Sequence, residues 1–210
     1  LGAYFSSLSA TLPAAQNTGN LTIVTDAIVA KVDYDPKTRR ATGVRAFDRV
    51  TKEGRTYEAK LVFLNASAIN TAAILLNSTS EAFPRGLANG SDQVGRNLMD
   101  HVSCDAVVGR WPGFDDVHDP GDRPTGIYIP RYAHTTEGDK PYLRGFGMQG
   151  GAGRTRRIEA RVLGGAERED DQPGYKPWVI SLRPFGEVLP DPNNRVTLSR
   201  SRADAWGVPV

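Results

Sequence analysis

Histidine and cysteine, the residues best suited to exchange protons near neutral pH, ligate a transition metal or attack as a thiolate, are scarce in this chain. Three histidines, His101, His118 and His134, and a single cysteine, Cys104, stand in 210 residues. Asp100-His101 and His118-Asp119 twice set an imidazole beside a carboxylate, a donor pair that suits a divalent cation. No fixed ligand spacing accompanies them, and the intervening prolines and glycines permit almost any geometry, so no metal is expected. His101 is expected to be a hydrogen-bonded partner of Asp100 at a domain junction, and His134, beside Thr135-Thr136-Glu137-Gly138, to sit on a loop surface. None of the three carries the flanking Ser or Cys motif of an activated nucleophile, and no catalytic residue is assigned. Cys104 is expected to be a small core residue, and a lone cysteine excludes an internal disulfide.

Composition excludes further classes. Lys and Arg total 26 against 24 Asp and Glu, a net charge of +2 with both signs scattered along the chain. There is no basic stripe to follow a phosphate backbone, so nucleic acid is not an expected partner. The longest apolar runs, at residues 61–64 and 72–76, are far shorter than the roughly 20 residues that cross a bilayer as a helix, so no membrane span is expected. Arg154-Thr155-Arg156-Arg157 is the densest basic cluster and reads as a solvated turn, since no phosphate-cradling loop is near it. Trp111, Trp178 and Trp206 lie in or beside strand-like runs, where packing is favoured over a sugar-stacking role. Asn-x-Ser/Thr triplets begin at Asn20, Asn65, Asn77 and Asn89 and read as chance, with Asn65 expected at a buried strand end.

The elements that must position these residues follow from hydrophobic periodicity. Residues 20–33, with Ile23, Val24, Ile28, Val29 and Val32, read as one strand with a break, or two short strands, around Thr25-Asp26-Ala27. Asp35-Pro36-Lys37-Thr38 is a turn, residues 42–48 the return strand, and Lys52-Glu53-Gly54-Arg55 a second turn. Lys60-Leu61-Val62-Phe63-Leu64 is a continuous apolar run of the kind found in a strand covered on both faces. Ala66-Ser67-Ala68 turns the chain into a helix marked by Ile69, Ala72, Ala73, Leu75 and Leu76, for which Ser67 or Asn70 is a candidate cap. A Pro- and Gly-rich loop follows, and composition shifts near Cys104.

Beyond it, strand-like runs occupy residues 106–111, 126–129, 142–148, 178–183 and 195–199. Residues 158–163 read as strand or helix, and 167–174 as a charged loop. Phe185-Gly186-Glu187 reads as a strand connection able to line a pocket, and Asp191-Pro192-Asn193-Asn194 as a turn.

Val94-Gly95-Arg96-Asn97-Leu98-Met99-Asp100-His101 resembles the "V-G-x-N-L-x-D-H" segment of the glucose-methanol-choline (GMC) flavin oxidoreductases in every fixed position. Residues 19–32, Gly-Asn-Leu-Thr-Ile-Val-Thr-Asp-Ala-Ile-Val-Ala-Lys-Val, resemble that family's adenine-side strand. Residues 62–70 resemble its "V-V-L-A-A-G-A-I-x" turn, with Asn65, Ser67 and Thr71 in place of the usual Ala, Gly and Pro. Asn194-Arg195-Val196-Thr197-Leu198-Ser199 resembles the tail of a substrate-domain strand. The nearest likeness is to bacterial sugar or polyol oxidoreductases.

The resemblance implies an α/β plus α+β chain. Residues 1–104 would be part of an FAD-binding Rossmann-like domain, and residues 105–210 part of an antiparallel-sheet substrate domain. It implies FAD as cofactor, with Val29, Ala66 and Ser67 beside it, and a small-molecule alcohol or sugar substrate. No Gly-x-Gly-x-x-Gly turn precedes the match and no later catalytic histidine segment follows it, so the chain is expected to be an inactive central portion of such an enzyme. The electron acceptor is not written in the sequence. Two other readings are a noncatalytic β-rich carbohydrate-binding module using the tryptophans and a nicotinamide enzyme on a similar sheet.

Overall fold

A computed structural model of the chain describes residues 5–111, 113–114, 116–117, 126–131, 145–154 and 178–210. The chain forms two compact units, one of Leu1–Leu21 with Asp100–Leu189, the other of Thr22–Met99 with Pro190–Val210. Among the described residues the secondary structure is mixed, two helices and eight strands, and every strand pair is antiparallel. His118, Asp119, His134, residues 155–157, 158–163 and 167–174 lie outside the described residues.

The unit containing residues 22–99 is built on a three-stranded meander, β1 (Ala27–Asp35), β2 (Arg40–Asp48) and β3 (Gly54–Glu58). The break foreseen near Asp26 is real: Asp26 takes a left-handed backbone, φ 56°, and β1 begins one residue later. The apolar residues before it form no ladder among the described residues, and Leu21, Ile23 and Val24 are exposed. The first turn falls where Pro36 places it. Asp35 Oδ1 accepts from the Lys37 amide at 2.9 Å and Oδ2 from the Thr38 hydroxyl, bonds that hold its carboxyl below the ordinary aspartate value. The second turn lies earlier than the sequence suggested. Asp48 closes it by accepting from the Val50 and Thr51 amides, and Gly54 already belongs to β3.

The helix α2 (Ser67–Asn77) packs on β1. The contact is made with small side chains: Ala30, Val32, Ala46, Ala72 and Ile74 form the buried apolar core. A register shift between Val29 and Lys31 makes Ala30 the extra residue of a β-bulge. The bulge places two core residues on either side of Lys31. Ser78 then fastens the end of the helix to the strand. Its buried hydroxyl donates to the Ile74 carbonyl at 2.6 Å and accepts from the Val32 amide at 2.8 Å. Val32 therefore has its edge-facing donor satisfied although β1 has no second strand beside it among the described residues.

The apolar run at 61–64 overturns an expectation. It was read as a strand covered on both faces, yet it joins no ladder among the described residues, and Leu61 and Phe63 are 75% and 81% exposed. Val62 and Leu64 are half-buried, so the segment has the alternation of an extended chain with one side docked. Asn65 follows on the exposed side, not at a buried strand end.

The other unit carries a short helix, α1 (Thr11–Asn17), which the sequence reading missed. Pro13 is tolerated there because it sits in the first turn, where no intrahelical donor is lost. Its sheet contains β4 (His101–Ser103), β5 (Val107–Trp111), β6 (Ile127–Ile129), β7 (Phe146–Arg154) and β8 (Trp178–Glu187). Strand β8 is the hub, paired with β4, β5 and β7, while β6 pairs with β7. Phe185-Gly186-Glu187, read as a connection, lies inside β8 because Phe185 and Gly186 pair with both β4 and β7. Cys104 is exposed rather than core. It stands just past β4, where its amide donates to the Pro184 carbonyl, so backbone pairing rather than side-chain burial fixes its place.

Ser78→Ala would leave the buried Val32 amide without an acceptor. The variant is expected to lose about 1–3 kcal/mol of stability, read as a lower urea midpoint at unchanged slope; an unchanged midpoint would show that the hydroxyl does not tie helix to strand.

Candidate functional site

The residues singled out from sequence can now be placed. Val29, on β1, and Ala66, at the mouth of α2, line one groove of about 740 Å³, together with Ala30, Ile69, Asn70 and Ala73. Its other wall comes from far along the chain, residues 195–198 and 208–210. Ser67 does not join them. It lines a second groove of about 600 Å³ with Leu64, Asn65, Thr71, Val94 and Gly95. The bend at 66–67 thus separates two hollows that flank the first turn of α2.

That bend has an uncommon backbone. Ala66 occupies the N-cap position without a side-chain cap, and neither Ser67 nor Asn70 supplies one. Ser67 instead takes φ 67°, the left-handed conformation in which a Cβ crowds the following carbonyl. It is the position at which the resembled turn has glycine.

The segment Val94-Gly95-Arg96-Asn97 is held from three directions. Asn89 is buried, and its side chain accepts from the Val94 amide at 3.0 Å while donating to the Arg85 carbonyl at 2.9 Å. Gly95 has φ 82°, and a Cβ on it would lie 2.7 Å from the Val196 carbonyl oxygen, a distance at which something must move. The backbone uses the room: Val196 donates to the Gly95 carbonyl and Leu98 to the Asn194 carbonyl, both at 2.8 Å. Residues 195–199, read as a strand, make these bonds without forming a named ladder.

Charge reinforces the same junction. The Arg96 guanidinium pairs with the Asp92 carboxylate and donates to the Pro192 carbonyl at 3.0 Å. Arg195 approaches Asp92 from the other segment at 3.7 Å. The hydrogen bond from Arg96, with the added fields of Arg96, Arg195 and Arg85, holds the Asp92 carboxyl below its ordinary value. Arg195 has a further feature, since its Nε is buried without a hydrogen-bond partner among the described residues. It stands in the wall of the 740 Å³ groove.

Sequence reading missed Ser78, Asn89, Asp92 and Arg195. Their partners lie across turns or far along the chain, and spacing does not reveal such pairings. The one signal was the Asp191-Pro192-Asn193-Asn194 turn, which does form, with the Asn193 amide donating to Asp191 Oδ1 at 2.8 Å.

Asp100 accepts from the backbone amide of His101 at 2.7 Å, not from its ring, and the ring Nδ1 lies 3.3 Å from the Gly186 carbonyl. No group of three or more His, Cys, Asp or Glu side chains gathers as a metal site among the described residues. Trp178 and Trp206 donate their indole N–H groups to the Phe114 and Arg49 carbonyls at 3.1 and 3.2 Å, while Trp111 is 58% exposed. Among the described residues no helix is long and apolar enough to cross a membrane.

Residues 1–103 match the family described as GMC oxidoreductase. The match includes the motif at 94–101, and the chain belongs to the GMC oxidoreductase family. It is 30% identical over 195 residues to the fructose dehydrogenase large subunit of Gluconobacter japonicus, covering 89% of this chain and 34% of that protein. It is 32% identical over 194 residues to the 2-methyl-1,2-propanediol dehydrogenase of Mycolicibacterium austroafricanum, covering 83% of this chain and 32% of that protein. The chain thus spans about a third of the length of these relatives.

Two substitutions test the two constraints of the site. Ser67→Gly should relieve the left-handed strain and raise stability by about 1 kcal/mol, seen in a denaturant midpoint; a loss would mean that the Ser67 side chain makes a contact worth more than the strain. Asp92→Asn should destabilise at neutral pH. Because the Asp92 pKa is lowered on folding, its contribution is complete above the ordinary value of 3.8 and fades as pH falls through the folded value. Melting curves of wild type and variant should therefore converge in strong acid, and a constant gap down to pH 2 would contradict the ion-pair account.

Proposed function

We propose that this chain is part of a longer FAD-dependent oxidoreductase that acts on CH–OH groups of a sugar, polyol or other alcohol, with residues 1–104 in its FAD-binding domain and 105–210 in its substrate domain. Family membership and the names of the two relatives, a fructose dehydrogenase and a diol dehydrogenase, support the class of reaction. The observation that carries the cofactor assignment is the shared groove of Val29 and Ala66.

The residues present fit the adenine end of such a cofactor. The groove has the volume of a small-molecule site. Its floor is lined by Ala30, Ala66 and Ala73, which leave room for a flat ring. Strand β1 is an edge among the described residues, so backbone groups not taken by β2 face outward, where an adenine edge can pair with them. The buried, unpartnered Nε of Arg195 is a donor that an acceptor on a ligand would satisfy. Ser67, in the neighbouring groove, is assigned to the cofactor's wall on the other side of the bend.

FAD supplies the hydride acceptor for alcohol oxidation. The protein must supply a base within hydrogen-bond reach of the hydroxyl proton, titrating near neutrality. His101 is not assigned this role, because no catalytic histidine segment of the resembled enzymes accompanies it. The base is assigned to a residue outside this chain, and the chain by itself is expected to be inactive. The carbohydrate-module alternative loses two of its three tryptophans, whose indoles are committed to backbone carbonyls.

Purified full-length protein containing this chain should carry visible flavin absorbance and reduce a dye when given a sugar or polyol. Ala66→Trp should fill the groove and yield folded protein with far less bound flavin. A colourless protein that reduces a nicotinamide instead would overturn the reading.

A further inference from the structure

The pairing registers sort the side chains of the β4–β8 sheet into two unlike faces. Directly opposed residues of antiparallel strands share a face. Ser103 opposes Phe185, Phe185 opposes Gly147, Arg183 opposes Gln149, and Gln149 opposes Tyr128; His101, two residues before Ser103, lies on the same side. One face therefore carries His101, Phe185, Tyr128, Gln149 and Arg183 around Gly147. The other carries Trp111, Trp178, Ile180 and Met148.

On the first face the rings form a cluster. Phe185 meets the His101 ring edge-on at 5.2 Å and lies 6.3 Å from the Tyr128 ring, tilted by 33°. Gly147 is buried beneath them and eases the arrangement: a Cβ there would come within 3.2 Å of Phe185 Cζ and 3.4 Å of both the Ile129 carbonyl oxygen and Tyr128 Cε2. The rings thus lean over a glycine bed. Tyr128 nevertheless remains 60% exposed, and the flanking Gln149 and Arg183 are exposed polar donors.

We infer that this face is a binding surface for a polyhydroxylated small molecule, a sugar ring whose C–H side stacks on Tyr128 and Phe185 while Gln149 and Arg183 take its hydroxyls. Aromatic faces ringed by a few hydrogen-bonding groups are the usual lining of small-molecule sites. A protein partner is disfavoured, since the larger apolar side chains lie on the opposite face, where Val107 and Trp111 are exposed. The inference takes its substrate class from the oxidoreductase reading above and adds the residues that would grip that substrate.

The test uses the full-length enzyme, with fructose and ethylene glycol as substrates. Phe185→Leu and Tyr128→Leu keep apolar volume but remove the stacking face, with folding checked by circular dichroism and flavin content. Each should raise the fructose KM by about three- to tenfold, more than the ethylene glycol KM and more than either kcat, and Phe185→Tyr should restore it. Trp111→Leu, on the opposite face, should leave the fructose KM at the wild-type value. The inference falls if the two KM values move together or neither moves. If the wild-type protein lacks flavin and oxidises neither substrate, it is the oxidoreductase reading that fails. The face is then judged by fructose quenching of intrinsic fluorescence: saturable quenching lost in Tyr128→Leu upholds it, and no quenching overturns it.

Discussion

The close approach of Gly95 to Val196 is the constraint on which the unit of residues 22–99 and 190–210 depends. Only a residue without Cβ lets the two backbones exchange the hydrogen bonds at Gly95 and Leu98. Those bonds seat residues 195–198 as the far wall of the groove that Val29 and Ala66 open. The Asp92 carboxylate, set between Arg96 and Arg195, acts at the same place and resists sliding of one segment along the other. A backbone junction of this kind joins parts of the chain about a hundred residues apart, and loop closure over that length carries an entropy cost that several simultaneous contacts must offset. The buried Asn89 side chain serves that end by fixing the loop that presents Val94 and Gly95.

What the sequence made legible was local. The hairpin of β1 and β2, the helix from Ser67 to Asn77 and the strand runs at 106–111, 126–129 and 178–183 each announce themselves by periodicity and turn chemistry. Residues 61–64 show where this fails. Four apolar residues in a row state a preference for burial, but burial also needs neighbours, and none stands on the exposed side of Leu61 and Phe63 among the described residues. Cys104 fails for a related reason: its residue type favours a core, yet its position is set by an amide bond to Pro184. Val29 and Ala66 were named from a likeness and line one groove, while Arg195 reached its wall, and Asp92 its ion pairs, through contacts that no spacing encodes.

Ser67 separates residue identity from conformation. A helix entered through a left-handed residue is normally entered through glycine, and a serine there carries the strain of its Cβ. The bend persists because it is over-determined: the extended 61–66 segment arrives on one side, and α2 is anchored on the other by Ala72, Ile74 and the Ser78 hydroxyl. The shape at this turn is thus a property of its surroundings rather than of the residue in it. A substitution at such a place changes stability before it changes geometry.

The sheet of the other unit applies the same logic to a surface. Strand β7 is rich in glycine, Phe-Gly-Met-Gln-Gly-Gly-Ala-Gly-Arg, which is a poor choice for strand stability, since glycine loses the most entropy on ordering and packs nothing. Gly150 is explained by crowding, because a Cβ there would overlap the Ser181 carbonyl. Gly147 is different. A Cβ there would meet the Phe185 ring first, with the Ile129 carbonyl oxygen and the Tyr128 ring just beyond it, so the missing atom makes room for rings as well as for backbone. A sheet whose only task was to fill a core would place a side chain under them. A bare strand beneath half-exposed aromatics is better understood as a surface shaped for something laid upon it.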